Sequence, residues 1–419
     1  MKRYLYIFIA VAGLIVVGLL AYYLYSRIKI SPLNPATGTT GNLPPTPTQS
    51  NPTPTPPAPA FGSETPATGT NSGVKFGIIA QTPAVAYYVD STNNAFLVQP
   101  DGQIVKVSGG SATTLSSSLI PNLISAQFSY DGAKVLAAFG DLVNPQFSIF
   151  DVASKSWQPL TGSLLGATWS PTNYQIAYFA QKNGALVLTT LDTGNAKATP
   201  ASLLTIHAQD TNLHWIGTNQ IILAGIGSAF TNTSALLFDL KAKTLTPLAI
   251  DRAGLDSLWS GAAGMGLVFE SGSNQIGGSL SLVDLTGNTL TKLSVLTLPS
   301  KCLFNTALQA PSPTNPVQAT STKGQKTPVA PLPVLIKTLY CAIPNDTQTL
   351  AASTLPDDYA KKVIFTADDF YKIGLADGSL TQVFSGASQM LDATDLQVFN
   401  QNLFFINRID QKLYAISLK

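Results

Sequence analysis

Along most of the chain, apolar runs of four or five residues alternate with short polar segments rich in Gly, Asn, Asp, Ser and Thr. The alternation is clearest between Ala167 and Pro200. It runs Ala-Thr-Trp-Ser-Pro-Thr-Asn-Tyr-Gln-Ile-Ala-Tyr-Phe-Ala from Ala167, then Gly-Ala-Leu-Val-Leu-Thr-Thr-Leu-Asp from Gly184, then the turn Thr193-Gly194-Asn195. This pattern predicts a strand ending in an aromatic, a tight turn, an apolar strand, a second turn, a third strand ending in Asp192, and a weaker fourth strand. A four-stranded sheet that is apolar on both faces cannot shield itself, so copies must pack against one another.

The aromatic that closes the first strand recurs at Phe128, Trp169, Trp215, Trp259, Phe304 and Phe399. The first four spacings are 41, 46, 44 and 45 residues, and the last, of 95, contains a Pro/Thr/Gln-rich insertion over 309–333 and a further loop from Pro344 to Lys362. Second strands align at Val85–Val89, Val135–Phe139, Ile176–Ala180, Ile221–Ala224, Met265–Phe269, Leu339–Ile343 and Leu403–Ile406. Third strands align at Ala95–Val98, Phe147–Phe150, Ala185–Leu188, Leu236–Phe238, Leu280–Val283, Phe370–Ile373 and Leu413–Ile416, and several run into an Asp: Asp151, Asp192, Asp239 and Asp284. Periods of this length with four strands each predict an all-β chain folded as a β-propeller of about seven four-stranded antiparallel blades, over residues 75–419. A generic array of β-sandwiches is the competing reading. The last unit stops after its third strand, so Lys75–Ala80 either supplies its missing outer strand and closes the ring, or is the first strand of the first blade.

Before the repeats, residues 4–26 carry no charge and are almost wholly apolar. At 1.5 Å per residue such a stretch spans a bilayer core, and tyrosines flank both ends, so an uncleaved single-pass anchor is expected. The apolar run is longer than a signal peptide requires, and no Ala-x-Ala-like site follows it. Residues 27–74 are rich in Pro, Thr, Gly and Ser, which predicts a disordered, extended tether. With residues 1–3 inside, the propeller is expected outside the cell membrane. Lys and Arg number 24 against 22 Asp and Glu, a net charge of +2, and only 11% of residues are charged. That balance lacks the basic stripe of a nucleic-acid binder.

Trp169-Ser170-Pro171 followed by Ile176-Ala177-Tyr178, and Phe128-Ser129-Tyr130-Asp131-Gly132, resemble the repeat of TolB-type propellers, which also occurs in the propeller domains of prolyl-oligopeptidase relatives. The resemblance covers about Lys75–Lys419. The Gly-His and Trp-Asp dipeptides of true WD repeats are absent, so the chain is WD-repeat-like only in period. Lys301-Cys302 and Tyr340-Cys341-Ala-Ile-Pro344 resemble membrane-anchored bacterial propellers. The resemblance implies a shape and a location, not an activity.

Cys302 and Cys341 fall at positions matching Ala167 and about Phe179 of the compact unit, which oppose each other across a hairpin. A disulfide between them is expected; two free thiols or a metal pair are the alternatives, although cysteines without nearby histidine make poor zinc ligands. No Gly-x-Ser-x-Gly elbow and no phosphate-binding glycine loop is present, so no catalytic residue, cofactor or metal is assigned. Residues just before the first strands face the channel mouth of a propeller. His207, Asp210, His214, Asp251, Arg252, Asp256, Lys301, Asp392 and Asp395 are therefore the candidates for a ligand site there. Solvated loop polarity is the competing reading, and His214, beside Trp215, also reads as a packed strand residue. The expected function is a non-enzymatic binding or scaffold module for a protein or glycan partner in the cell envelope. An extracytoplasmic carbohydrate hydrolase or lyase is the alternative, and its mark would be carboxylates converging in the channel.

Overall fold

A computed structural model describes residues 76–207, 210–309, 334–386 and 388–418, all within the compact unit Pro66–Lys419. The expected span 4–26, the tether 27–74 and the insertion from residue 310 to 333 lie outside the described residues. Among the described residues no helix is long and apolar enough to cross a membrane.

The strands form seven four-stranded antiparallel sheets. The first blade holds β2 (Ala86–Val89), β3 (Ala95–Val98), β4 (Ile104–Ser108) and β5 (Ser111–Thr114), counted from the channel outward. The second holds β6 (Leu123–Phe128), β7 (Lys134–Gly140), β8 (Pro145–Asp151) and β9 (Ser156–Pro159). The third holds β10 (Leu164–Trp169), β11 (Gln175–Lys182), β12 (Ala185–Asp192) and β13 (Ala201–Ile206). In the fourth are β14 (Thr211–Gly217), β15 (Gln220–Gly225), β16 (Asn232–Asp239) and β17 (Thr244–Ala253). In the fifth are β18 (Asp256–Ser260), β19 (Met265–Ser271), β20 (Gly278–Asp284) and β21 (Thr289–Lys292). The sixth, decorated blade holds β22 (Cys302–Gln309), β23 (Val334–Pro344), β24 (Asp368–Gly374) and β25 (Leu380–Phe384). The seventh holds β26 (Ala393–Phe399), β27 (Asn402–Asn407) and β28 (Leu413–Ser417), and its outer strand is β1 (Phe76–Ala80). Of the two places open to Lys75–Ala80, the structure takes ring closure: Phe76 pairs with Ile416 and Ile78 with Tyr414.

That placement corrects the first blade. Val85–Val89 and Ala95–Val98 were expected as second and third strands; they are its first and second. Both runs are apolar, but β2 buries alternate residues, as an innermost strand with one face on the channel does. True second strands bury four consecutive residues, as β7, β11, β15 and β19 show, because neighbouring blades cover both faces.

Among the described residues the buried apolar side chains fall into seven clusters, one at each junction between blades. Leu136 and Ile149 of the second blade meet Trp169 and Tyr178 of the third, for example. Outer strands such as β5 and β21 stay exposed along their length. The repeat motif works at these junctions. Asp131 accepts from the Ser129 hydroxyl at 2.8 Å in its own turn and from the Tyr174 hydroxyl of the next blade. Gly132, at φ +72, lies under the Tyr88 ring of the preceding blade, where a Cβ would come within 2.2 Å of the ring.

Cys302 and Cys341 are direct partners across β22 and β23 and form a disulfide. The compact unit pairs Ala167 with Tyr178 rather than Phe179, because a bulge between Leu165 and Ala167 shifts the register by one. From Asn345 to Ala367 the chain makes short helical turns at Thr347–Ala351 and Asp357–Ala360 and lies across the top of two other blades. Asp357 accepts from the Ser228 hydroxyl at 2.9 Å and the Ala229 amide at 2.8 Å in the fourth blade. In the fifth, the Ser271 hydroxyl donates to the Leu355 carbonyl.

Candidate functional site

Antiparallel blades sort their turns. Those joining second to third strands, and the crossings from one blade to the next, lie at one end of the ring, here called upper. Those joining first to second and third to fourth strands lie at the lower end. Asp caps occur at both ends, as where Asp141 accepts from the Val143 amide at 2.7 Å in an upper turn, but the ends differ in the side chains they expose. Lower turns are capped: Asp239 accepts from the amides of Lys241 and Ala242 at 2.8 and 2.7 Å, and Asp284 from those of Thr286 and Asn288, both at 2.9 Å. Upper loops present apolar side chains to solvent: Leu142 and Val143, Phe230, Ile276, Val363 and Met390 are each at least half exposed.

At that end the channel opens as a hollow of about 480 Å³. Its walls are inner strands of the fourth, fifth and seventh blades and the segment that carries Pro356, Tyr359 and Lys362. His214 enters it from the middle of β14, Asp256 from the first residue of β18, and Asp395 from β26. Asp395 sits at a bulge between Thr394 and Gln397 with φ +52, a left-handed conformation that Asp tolerates better than most residues. A bulge in an inner strand re-aims the side chain it carries.

The polar groups here are unequally satisfied. The Arg408 guanidinium donates to Asp392 at 2.6 Å and to the Tyr359 carbonyl at 2.6 Å, and stacks 3.6 Å from the Tyr359 ring centroid. Its charge is therefore committed. Asp256 and Asp395 make no ion pair among the described residues. Removal from bulk water raises the carboxyl of each from 3.8 to about 6, with only the Ser257 amide opposing it at Asp256. The same environment lowers the pKa of His214, so its imidazole is neutral at neutral pH. Asp395 and His214 are both exposed to the hollow, so solvent moderates the shift of each.

Three of the nine expected residues thus line the hollow: His214, Asp256 and Asp395. His207 and Asp210 line a separate groove between the third and fourth blades, beside Leu142 and Val143. Asp251 and Arg252 belong to the outer strand β17, where Arg252 pairs with Glu270 at 3.1 Å. Lys301 and Asp392 are corrected outright: both are 0% exposed, inside the junction of the sixth and seventh blades. The Lys301 ammonium touches Asp368 at 2.7 Å, Asp392 at 2.6 Å, Thr366 at 3.0 Å and the Tyr359 hydroxyl at 3.2 Å. Position just ahead of a first strand does not decide which way a side chain turns, and Lys301 turns into the junction. Tyr359, Lys362 and Arg408 were missed. Two come from the decoration of the sixth blade and one from a turn, and no repeat pattern marks any of them. Among the described residues no three or more His, Cys, Asp or Glu side chains are placed to share a metal ion.

No family model matches the sequence, and no curated protein matches it. Among solved structures the fold is similar to the tricorn protease, at 11% identity and a TM-score of 0.46, over 82% of this chain and 34% of that one. It is similar to a virginiamycin B lyase from Staphylococcus aureus, at 10% identity and 0.47, over 83% of this chain and 100% of that one. A third is TolB from Acinetobacter baumannii, at 16% identity and 0.33, over 52% and 62%. The chain spans about a third of the length of the tricorn protease. These likenesses are of architecture alone, and it is the strand order that makes this chain a seven-bladed β-propeller.

Proposed function

We propose that this chain is a binding module of the cell envelope, held to the membrane by its N-terminal apolar segment and engaging a protein or glycan partner with the upper end of the ring. The observation that carries the reading is the asymmetry of the two ends. The lower end carries Asp-capped turns beside a channel mouth lined by Phe128, Trp169 and Trp215; the upper end carries exposed apolar loop side chains beside a hollow with the unpaired Asp256 and Asp395 at its wall. Photo-crosslinking side chains placed at Val143, Phe230 and Met390 in cells should give adducts with a partner, while the same groups at the lower turns, at Lys155 and Lys243, should give none. Equal yields from both ends would end the reading. Protease treatment of intact cells tests the location: the propeller should be cut away only if it lies outside.

A second reading has a specific observation in its favour. Asp256 and Asp395, both titrating at about 6, are carboxylates of the kind that work in acid–base catalysis on sugars. A hydrolase or lyase would release product from an envelope glycan, with loss of turnover in Asp256→Asn and Asp395→Asn. A binding module would retain its partner unaltered.

A further inference from the structure

We infer that the partner is a protein, and that it docks through a segment carrying one cationic side chain flanked by apolar ones. The cation enters the hollow that Asp256 and Asp395 line, and its neighbours cover the apolar side chains of the upper loops. The inference rests on the binding reading above and adds what the upper end selects.

Charge complementarity supplies the argument. Every charged or titratable side chain of the hollow can be assigned. Arg408 is neutralised by Asp392, which also answers the buried Lys301. His214 is uncharged at neutral pH. Tyr359 is held in its protonated form, chiefly by burial. Lys362 is exposed where it lines the hollow, the one cation there that Asp392 does not answer among the described residues. That leaves two carboxylates with no ion-pair partner among the described residues, Asp256 half-buried and Asp395 open to the hollow. An unpaired carboxylate at the wall of a hollow attracts an incoming ammonium or guanidinium more strongly than one on open surface, because protein walls screen less than bulk water. The upper end adds apolar area: Ile226, 53% exposed, lines the opening, and Phe230, Val143 and Met390, on loops of the same end, are 64, 75 and 75% exposed. A free small cation would use the carboxylates and leave these side chains bare. A neutral glycan would hydrogen-bond the carboxylates through its hydroxyls and leave the aliphatic side chains of the upper loops bare.

Full-length protein in detergent is probed with a displayed library of random seven-residue peptides at about pH 7.5. The expected result is enrichment of Lys or Arg flanked by Leu, Ile, Val or Phe. Binding of a selected peptide should fall at least about tenfold in Asp256→Asn and Asp395→Asn, and stay unchanged in Asp239→Asn at the lower end. It should also fall about tenfold from about pH 7.5 to about pH 5, as the two carboxylates gain protons and His214 gains a positive charge. Thermal melts of each variant show that it is folded. Enriched peptides without a basic residue, or binding indifferent to both substitutions, overturn the cationic socket while leaving a binding module. A library with no enrichment, beside a panel of envelope glycans that does bind, overturns the protein partner. No binder of either kind overturns the binding reading and this inference together.

Discussion

An ammonium group taken wholly out of water must be met by opposite charge, and at Lys301 two aspartates meet it. Burial alone would drive the proton off; Asp368 and Asp392 reverse that and keep Lys301 charged. With Arg408 the group holds two positive and two negative charges. Truncating Lys301 to Met would leave two carboxylates in a dry junction, at an expected cost of about 3–5 kcal/mol, measurable by denaturant unfolding. Asp256 should behave in the opposite sense. Its folded pKa of about 6 lies above the ordinary 3.8, so between these values the folded chain holds a proton that the unfolded chain has lost. Stability therefore falls as pH rises through that window, and the deficit is complete above it. Asp256→Asn should raise the melting temperature at pH 7 and flatten its decline between about pH 4 and about pH 6. Gly132→Ala should be destabilising at any pH, because the new methyl meets the Tyr88 ring and φ is left-handed there. At this scale the sequence was only partly informative. It exposed Asp256, Asp395 and His214 because they sit on or beside inner strands whose period was visible. It misled at Lys301 and Asp392 because the direction of a side chain depends on the neighbouring blade.

Blades were far more legible than side chains, since their second strands are apolar on both faces and cannot be mistaken for surface. The exception was the first blade, where Tyr87-Tyr88 in β2 has the same apolar look. The spacing held the correction: Tyr88 lies 40 residues before Phe128, where the aromatic closing a first strand belongs. The hairpin of β22 and β23 is pinned where its two strands enter the core. The disulfide closes a separation of 39 residues that includes the whole insertion, which in the chain-entropy model is worth about 4 kcal/mol. Replacing both cysteines by Ala should lower stability by that order in an unfolding titration, without altering the hollow. The decorating segment 345–367 could not be placed from sequence. Its anchoring points, Ser228 and Ser271, belong to other blades and give no local sign of it.

Seven separate junction cores make the ring a set of coupled units, and coupling around it is complete only if the seventh blade has its outer strand. Phe76 supplies the closing contact, stacking on Phe384 at 5.0 Å and Tyr414 at 5.5 Å between centroids. Phe76→Asp should loosen β1, lower the melting temperature and leave the β28 edge open to pairing between molecules, seen as larger species on size exclusion. The number of blades was read from the period; which strand closes them was not, because both placements of Lys75–Ala80 satisfy the same pattern.

Because β1 is a five-residue edge strand held along one side only, it is also where the ring meets mechanical load. Any pull arriving along the chain ahead of Phe76 is borne first by the β1–β28 seam, before any blade junction feels it. Under tension the wheel should open at this one seam, leaving six blades intact, and reseal when the force is removed.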